Sequence, residues 1–270
     1  MNKPIVKPVV DPPPNKPRKP IHENLPDVSG GALVLMVMPI KCGKSTIVSN
    51  LLLREDFYGQ DYFDNVTIIS NTINQDKTSR FLKKAFEVYD TYNDGIIEGI
   101  VNQQKEFDAE DRPSVALILD DVLGSIRRES YVNHLASRFR HYGIELLLFS
   151  SQLFKKVNNV IRSNATDLIV GCPFQSQTQL DAIEEEYGEM YQGNFKEIYK
   201  LATGNKRFDF MYTKLGENPI RTYRNFEELI AIGGNIVEGQ QNEKNEKEDV
   251  NKKDDTVIKD GSVESNRPEQ

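Results

Sequence analysis

The sequence predicts an α/β fold, with a largely parallel central sheet, helices on both faces and a C-terminal antiparallel hairpin closing the sheet. Three observations carry that expectation. Short apolar runs alternate with amphipathic stretches, the first such junction carries Gly43-Lys44-Ser45, and a later apolar run ends in the adjacent acids Asp120 and Asp121.

Each element follows from its local pattern. Leu33–Met38, Val66–Ile69, Val115–Leu119, Leu146–Phe149 and Leu168–Val170 are unbroken apolar runs, and they read as strands buried on both faces. Lys44–Arg54, Thr78–Tyr89, Tyr131–Tyr142 and Leu153–Ser163 read as the helices between them. In the third, Val132, Leu135, Ala136 and Phe139 recur at helical spacing, and Gly143 supplies a left-handed stop. Beyond residue 175 the pattern changes. The stretch QSQTQLDAIEEEYGEM reads as a helix, and KEIYKLAT and RFDFMYTKL flank Gly204-Asn205-Lys206 as the arms of the hairpin.

Composition bounds the function. Length 270, with 38% apolar and 28% charged residues, suits a globular domain with flexible ends. We expect a basic, proline-rich arm over 1–25, a folded domain over 26–237 and a disordered charged tail over 238–270. Within the first twenty residues, seven of thirteen prolines and five cations face one acid. This describes an extended arm, serving either as a spacer or as a contact to DNA or a neighbouring subunit. The tail has too little apolar surface to offset its ordering entropy. A net charge of -7 excludes a protein that coats DNA through overall basicity, so any nucleic-acid contact must be local. No apolar run reaches the roughly 18 residues of a membrane span and none resembles a secretory leader, so no membrane partner is expected.

The two cysteines, Cys42 and Cys172, form neither a CxxC pair nor a disulfide framework, and the three histidines have no metal-ligand spacing. A reducing compartment is the default, and a metal is expected to arrive with a ligand.

The stretch Met38-Pro39-Ile40-Lys41-Cys42-Gly43-Lys44-Ser45-Thr46 follows a strand and opens a helix, the setting a phosphate-binding loop requires. Pro39 to Thr46 form the expected ATP-binding loop, in which the N–H groups from Ile40 onward face a phosphate, Gly43 permits close approach, Lys44 spans the β- and γ-phosphates, and Ser45 ligates Mg²⁺. Cys42 reads as a small residue that fits, and Lys41 as a solvated flank or weak phosphate contact. Met38 stands where GxxxxGK[ST] has its first glycine. The second half of such a site is a strand ending in acid, and VALILDD supplies it, with Asp120 on the metal and Asp121 orienting or deprotonating a water. Gln152 either senses the γ-phosphate and positions water or starts a helix. Arg138 and Arg140 either reach a neighbouring subunit's nucleotide or complement a helix dipole.

Taken together, the phosphate loop, SNTIN, LILDD and RFRHYGIELLLFSSQLFKKVNNVIRSNATDLIVG resemble the genome-packaging ATPases of nucleo-cytoplasmic large DNA viruses and virophages. These are poxvirus-type members of the FtsK-HerA superfamily of P-loop ATPases, and the similarity runs from about Gly31 to Gly171. The resemblance implies a homo-oligomeric ring that uses ATP and Mg²⁺ to pump double-stranded DNA into a capsid. Its implied partners are that DNA and capsid vertex or portal-like proteins, and its implied location is the host cytoplasm at the assembly site and the virion. It assigns Lys44 and Ser45 to Walker A, Asp120 and Asp121 to Walker B, Gln152 to the sensor, and Arg140, with Arg138 second, to the trans-acting arginine. Arg162 serves packing, phosphate sensing or DNA. Many such motors carry glutamate where this chain has Asp121. Lys155, Lys156 and Arg162 share the polar face of the expected helix Leu153–Ser163, which either lines a DNA pore or is simply solvated. The other classes compatible with these motifs are a P-loop nucleotide or nucleoside kinase, which lacks its arginine-rich lid here, and a nucleotide-binding adaptor without turnover.

Overall fold

The structure, a computed structural model, describes residues 19–75, 78–171, 177–204 and 208–237. The expectations for residues 1–18 and for the tail beyond 237 lie outside the described residues. The chain divides into two compact units, Met1–Ile169 and Val170–Gln270.

In the first unit five strands lie side by side in the order β1 (Ala32–Val37), β5 (Ile144–Ser151), β4 (Val115–Asp120), β2 (Asn65–Ser70) and β3 (Glu87–Tyr89), all parallel. On the other side of β1 lies β6 (Asp167–Gly171), and Thr166 just before it donates its N–H to the Leu33 carbonyl at 2.9 Å. Every residue of β1 and β4 is buried, which is why these segments read as unbroken apolar runs rather than as alternating ones. The sheet is covered by α1 (Lys44–Leu53), which turns Ile47, Val48, Leu51 and Leu52 inward. The structure therefore has the expected parallel sheet, and each of the five expected strands falls within two residues of its place.

Three expected helices of the first unit are corrected. Thr78–Tyr89 is not one helix but a 3₁₀ turn at Thr78–Arg80, the single helical turn α2 (Leu82–Ala85) and the edge strand β3. Glu87, Val88 and Tyr89 gain a ladder with Thr67, Ile68 and Ile69, and this long-range pairing outweighs weak local helix propensity. Tyr131–Tyr142 is split into α4 (Tyr131–Ala136) and a 3₁₀ turn at Phe139–Tyr142, although Gly143 does stop it in the left-handed conformation at φ 65. Leu153–Ser163 is split into a 3₁₀ turn at Phe154–Lys156 and α5 (Asn159–Ser163), where Asn158 accepts from the Val160 N–H. A helix absent from the expectations, α3 (Asp94–Lys105), is capped by the Asn93 side chain and buries Ile97, Val101 and Gln104. Its two glycines mask its period in the sequence.

In the second unit the expected helix is α6 (Gln177–Tyr187), continued by a 3₁₀ turn at Gly188–Tyr191. The hairpin is relocated. KEIYKLAT is helix α7 (Phe195–Thr203), which buries Phe195, Ile198, Tyr199 and Ala202 at helical spacing. The antiparallel strands are β7 (Phe210–Lys214), β8 (Arg221–Arg224), β9 (Glu228–Ile232) and β10 (Asn235–Ile236), each paired with the next. Asn205 and Lys206 of the expected turn lie outside the described residues. No described helix is long and apolar enough to cross a membrane.

Leu148 sits in β5 between Val34 of β1 and Ile118 of β4 and is fully buried. Leu148→Ala should lower unfolding free energy by about 2–5 kcal/mol, read as a fall in the urea midpoint at unchanged slope.

Candidate nucleotide-binding site

The site lies where three strands end together. Ser70 of β2, Asp120 of β4 and Ser150 of β5 occupy one level of the sheet, and Ser150 is in turn level with Met36 of β1. Residues that follow these positions therefore converge at the carboxyl edge, the edge at which open α/β sheets bind ligands.

From β1 the chain continues through Met38, whose N–H donates to the Ser151 carbonyl at 2.9 Å and whose side chain is fully buried. Met38 is not among the described residues with positive φ, so the loop places no glycine-only demand on its first position. The left-handed positions fall later, at Lys41 (φ 63) and Gly43 (φ 97). Gly43 leads into α1, and its carbonyl accepts from Ile47 N–H at 2.9 Å. No acidic side chain occupies the first turn of α1, so the positive end of the helix dipole is left for an outside anion. Pro39 and Ser45 are half-buried, Ile40, Lys41 and Thr46 exposed, and Cys42 buried. Cys42 is disulfide-bonded, which corrects the expectation of two unpaired cysteines; Cys172 lies outside the described residues.

Lys44 folds back from α1. Its ammonium donates to the Met38 carbonyl at 3.3 Å and pairs with Asp121 at 3.0 Å, with only 10% and 15% of the two side chains exposed. Asp121 adopts φ 52, a left-handed conformation that turns the chain sharply at the end of β4. The turn is held on several sides. Asp121 N–H donates to the Ser150 carbonyl at 3.2 Å, Asn71 Nδ2 to the Asp121 carbonyl at 3.4 Å, and Gln152 Nε2 to Asp121 Oδ2 at 3.1 Å. Asp120 is buried and accepts from Ser70 Oγ at 2.9 Å and from Ser150 Oγ. Burial raises its carboxyl above the usual value, and the two hydroxyl donors pull it back.

Lys44, Asp120, Asp121 and Gln152 are thus brought together as the motifs predict, with Ser45 in the first turn of α1. Their chemistry suits a hard cation carried in on phosphate oxygens. Asp120 and Ser45 offer oxygen ligands, and among the described residues no cluster of three or more His, Cys, Asp or Glu side chains forms a self-sufficient metal site. Arg138 and Arg140 are not part of this cluster. Both are exposed and precede β5, Arg140 lying with its stem against Gly31 and its guanidinium over Phe139 at 5.4 Å. The length of β5 puts them roughly 25 Å from the strand's far end, beyond reach of their own chain's site. Lys155 and Lys156 are exposed on the 3₁₀ turn, whereas Arg162 is half-buried on α5 with its guanidinium over Phe154 at 5.1 Å. The expectation of one continuous helical face for these three cations is corrected by the break between the turn and α5; Phe154, Val157 and Ile161 are buried, while Leu153 and Val160 are exposed. No individual role follows from the sequence for Ser70, Asn71 or Ser150, although Ser70 and Asn71 open the family-like string SNTIN and Ser150 lies near the end of the apolar run LLLFSS.

No family model and no curated protein matches the chain. Solved structures do. The DNA-packaging ATPase B204 from Sulfolobus Turreted Icosahedral Virus matches with a TM-score of 0.53 and 16% identity, over 72% of this chain and 97% of that one. The genome packaging NTPase B204 from Sulfolobus turreted icosahedral virus 2 matches in its sulfate complex with a TM-score of 0.51 and 16% identity, over 72% and 96%. Its AMPPCP complex matches with a TM-score of 0.51 and 14% identity, over 72% and 97%. At these identities the likeness establishes the fold alone, an α/β fold shared with these packaging NTPases.

Because Gly43 holds φ 97, Gly43→Ala forces a side chain into a strained region. It should cost about 1–2 kcal/mol of stability, measured by urea unfolding.

Proposed function

We propose that the chain is an ATP-hydrolysing double-stranded DNA translocase that packages a viral genome. The observation that carries this reading is the convergence of Lys44, Asp121 and Gln152 on one point beside the buried acid Asp120, at the carboxyl edge of a sheet shaped like that of packaging NTPases.

In this reading the ion pair between Lys44 and Asp121 is the resting arrangement. Arriving phosphates, drawn by the free helix dipole and the loop N–H groups, compete for the Lys44 ammonium and release the Asp121 carboxylate. Gln152, already bonded to that carboxylate, donates and accepts at a water beside it. The water attacks the γ-phosphorus, its proton passes to Asp121, and the bond to the β–γ bridging oxygen breaks, leaving ADP and inorganic phosphate. Ser45 and Asp120 hold the Mg²⁺ that accompanies the nucleotide, which supplies charge neutralisation on the phosphates. Arg140, on the far edge of its own sheet, serves the site of a neighbouring subunit in a homo-oligomeric ring. Lys155, Lys156 and Arg162 contact DNA phosphates without reading sequence. The partners are capsid vertex or portal-like proteins, and the setting is the viral assembly site in the host cytoplasm and the virion.

Steady-state turnover tests the assignment. Lys44→Ala should abolish ATP hydrolysis, and Asp121→Asn should keep nucleotide binding while losing about 10²–10⁴-fold in turnover. Duplex DNA should stimulate the wild type; phosphate transfer to a small acceptor would instead indicate a kinase, and binding without either activity an adaptor. Mixing Arg140→Ala subunits with Lys44→Ala subunits should restore part of the lost activity, because the two lesions then fall on opposite sides of a shared interface. Unchanged turnover in either site variant, or absence of rescue at every mixing ratio, would overturn the corresponding role.

A further inference from the structure

Two buried hydroxyls remain unused in this account. Ser70 and Ser150 are 1% and 0% exposed, and each is in register with Asp120, one from either neighbouring strand. In a parallel sheet registered neighbours project to the same face about 4.8 Å apart, so the three side chains form a row. Each hydroxyl has one hydrogen to give. Ser70 Oγ directs its hydrogen to Asp120 Oδ2 at 2.9 Å, and Ser150 Oγ directs its own to Asp120 Oδ1. Thr72 Oγ1 stands 3.3 Å from Ser70 Oγ, in reach to donate to it and leave the Ser70 hydrogen committed to the acid.

A carboxylate with a donor on each oxygen can neither swing about its terminal torsion nor leave its rotamer without breaking a buried hydrogen bond. Alanine would fill either serine position with nearly the same volume, so packing alone does not require these hydroxyls. The row sits at the strand ends, one residue before Asp121 and two before Gln152. We infer that Ser70 and Ser150 are positioning residues for the metal-holding acid: they fix the direction in which the Asp120 carboxylate presents itself to the cation accompanying the nucleotide. The inference rests on the nucleotide-site reading above and deepens it.

The test measures metal dependence of nucleotide binding, not turnover. A fluorescent ATP analogue is titrated against the full chain at increasing Mn²⁺, with free Mn²⁺ followed by electron paramagnetic resonance and folding by thermal melts. Removing supporting hydrogen-bond partners of a metal ligand weakens metal binding by about 10–100-fold. Because the acid here has two donors, Ser70→Ala and Ser150→Ala should each raise the half-saturating Mn²⁺ about tenfold, and the double variant further. Ser70→Thr keeps the hydroxyl and should stay near the wild type. Ser150→Cys, almost isosteric but a weak donor, should behave like Ser150→Ala, and it serves if the alanine variant unfolds. Folded alanine and cysteine variants with wild-type Mn²⁺ dependence would overturn the positioning role while leaving the nucleotide site intact. A wild type that binds no nucleotide would overturn both readings.

Discussion

The register of β4 between β2 and β5 is the constraint on which the rest depends. All six residues of β4 are buried, so the strand has no solvated face to select its alignment by amphipathicity. What discriminates is its polar end. In the observed register Asp120 meets a hydroxyl from each side. A slip of one residue moves its side chain to the opposite face, and a slip of two carries it about 6.6 Å along the sheet. Either way a buried carboxylate loses its donors, at several kcal/mol. The acids that mark the strand's end in the sequence therefore also fix where the strand stops.

From that register the site follows with little further specification. Met38 ties the end of β1 to β5, Asp121 N–H ties the end of β4 to β5, and Gln152 follows directly on β5. The central strand thus serves as a common reference for the loop, both acids and the amide. The electrostatics then sort themselves by burial. Asp120, deeper and served by neutral hydroxyls, is separated in role from Asp121, which faces the Lys44 ammonium. Two adjacent carboxylates would repel if both turned the same way. The Asp121 charge does help to raise the Asp120 carboxyl, and the Lys44 ammonium opposes it.

Legibility in the sequence tracked the locality of the cause. The buried strands were readable because full burial demands an apolar run, and Gly43, Lys44, Asp120, Asp121 and Gln152 were readable because strand ends place them at one edge. Errors arose where a distant partner decided the outcome. Glu87–Tyr89 became a strand through the ladder to β2, which nothing in EVY itself announces. The break between Phe154–Lys156 and α5 hides inside a stretch with good helical spacing, where Asn158 caps a new helix instead of continuing the old one. Lys196–Thr203 alternates loosely enough to imitate a strand, yet its buried set recurs at helical spacing. Ser70 and Ser150 were invisible as functional residues because a serine closing an apolar run is ordinary until the strand order sets it beside an acid.

The left-handed turn at Asp121 bears on the motif's short acid. Where a glutamate delivers its carboxylate through an extra methylene, this chain delivers it by rotating one peptide unit, so the group stands close to the main chain with one fewer freely turning bond. Less side-chain entropy has to be frozen when the carboxylate is set in place, and the backbone bonds to Ser150 and Asn71 hold the rotation itself. Position 121 is in consequence filtered first by backbone and only then by charge. Aspartate and asparagine visit the left-handed region readily and β-branched residues do not, so the sharp bend narrows the set of side chains this corner accepts before any chemistry is asked of them.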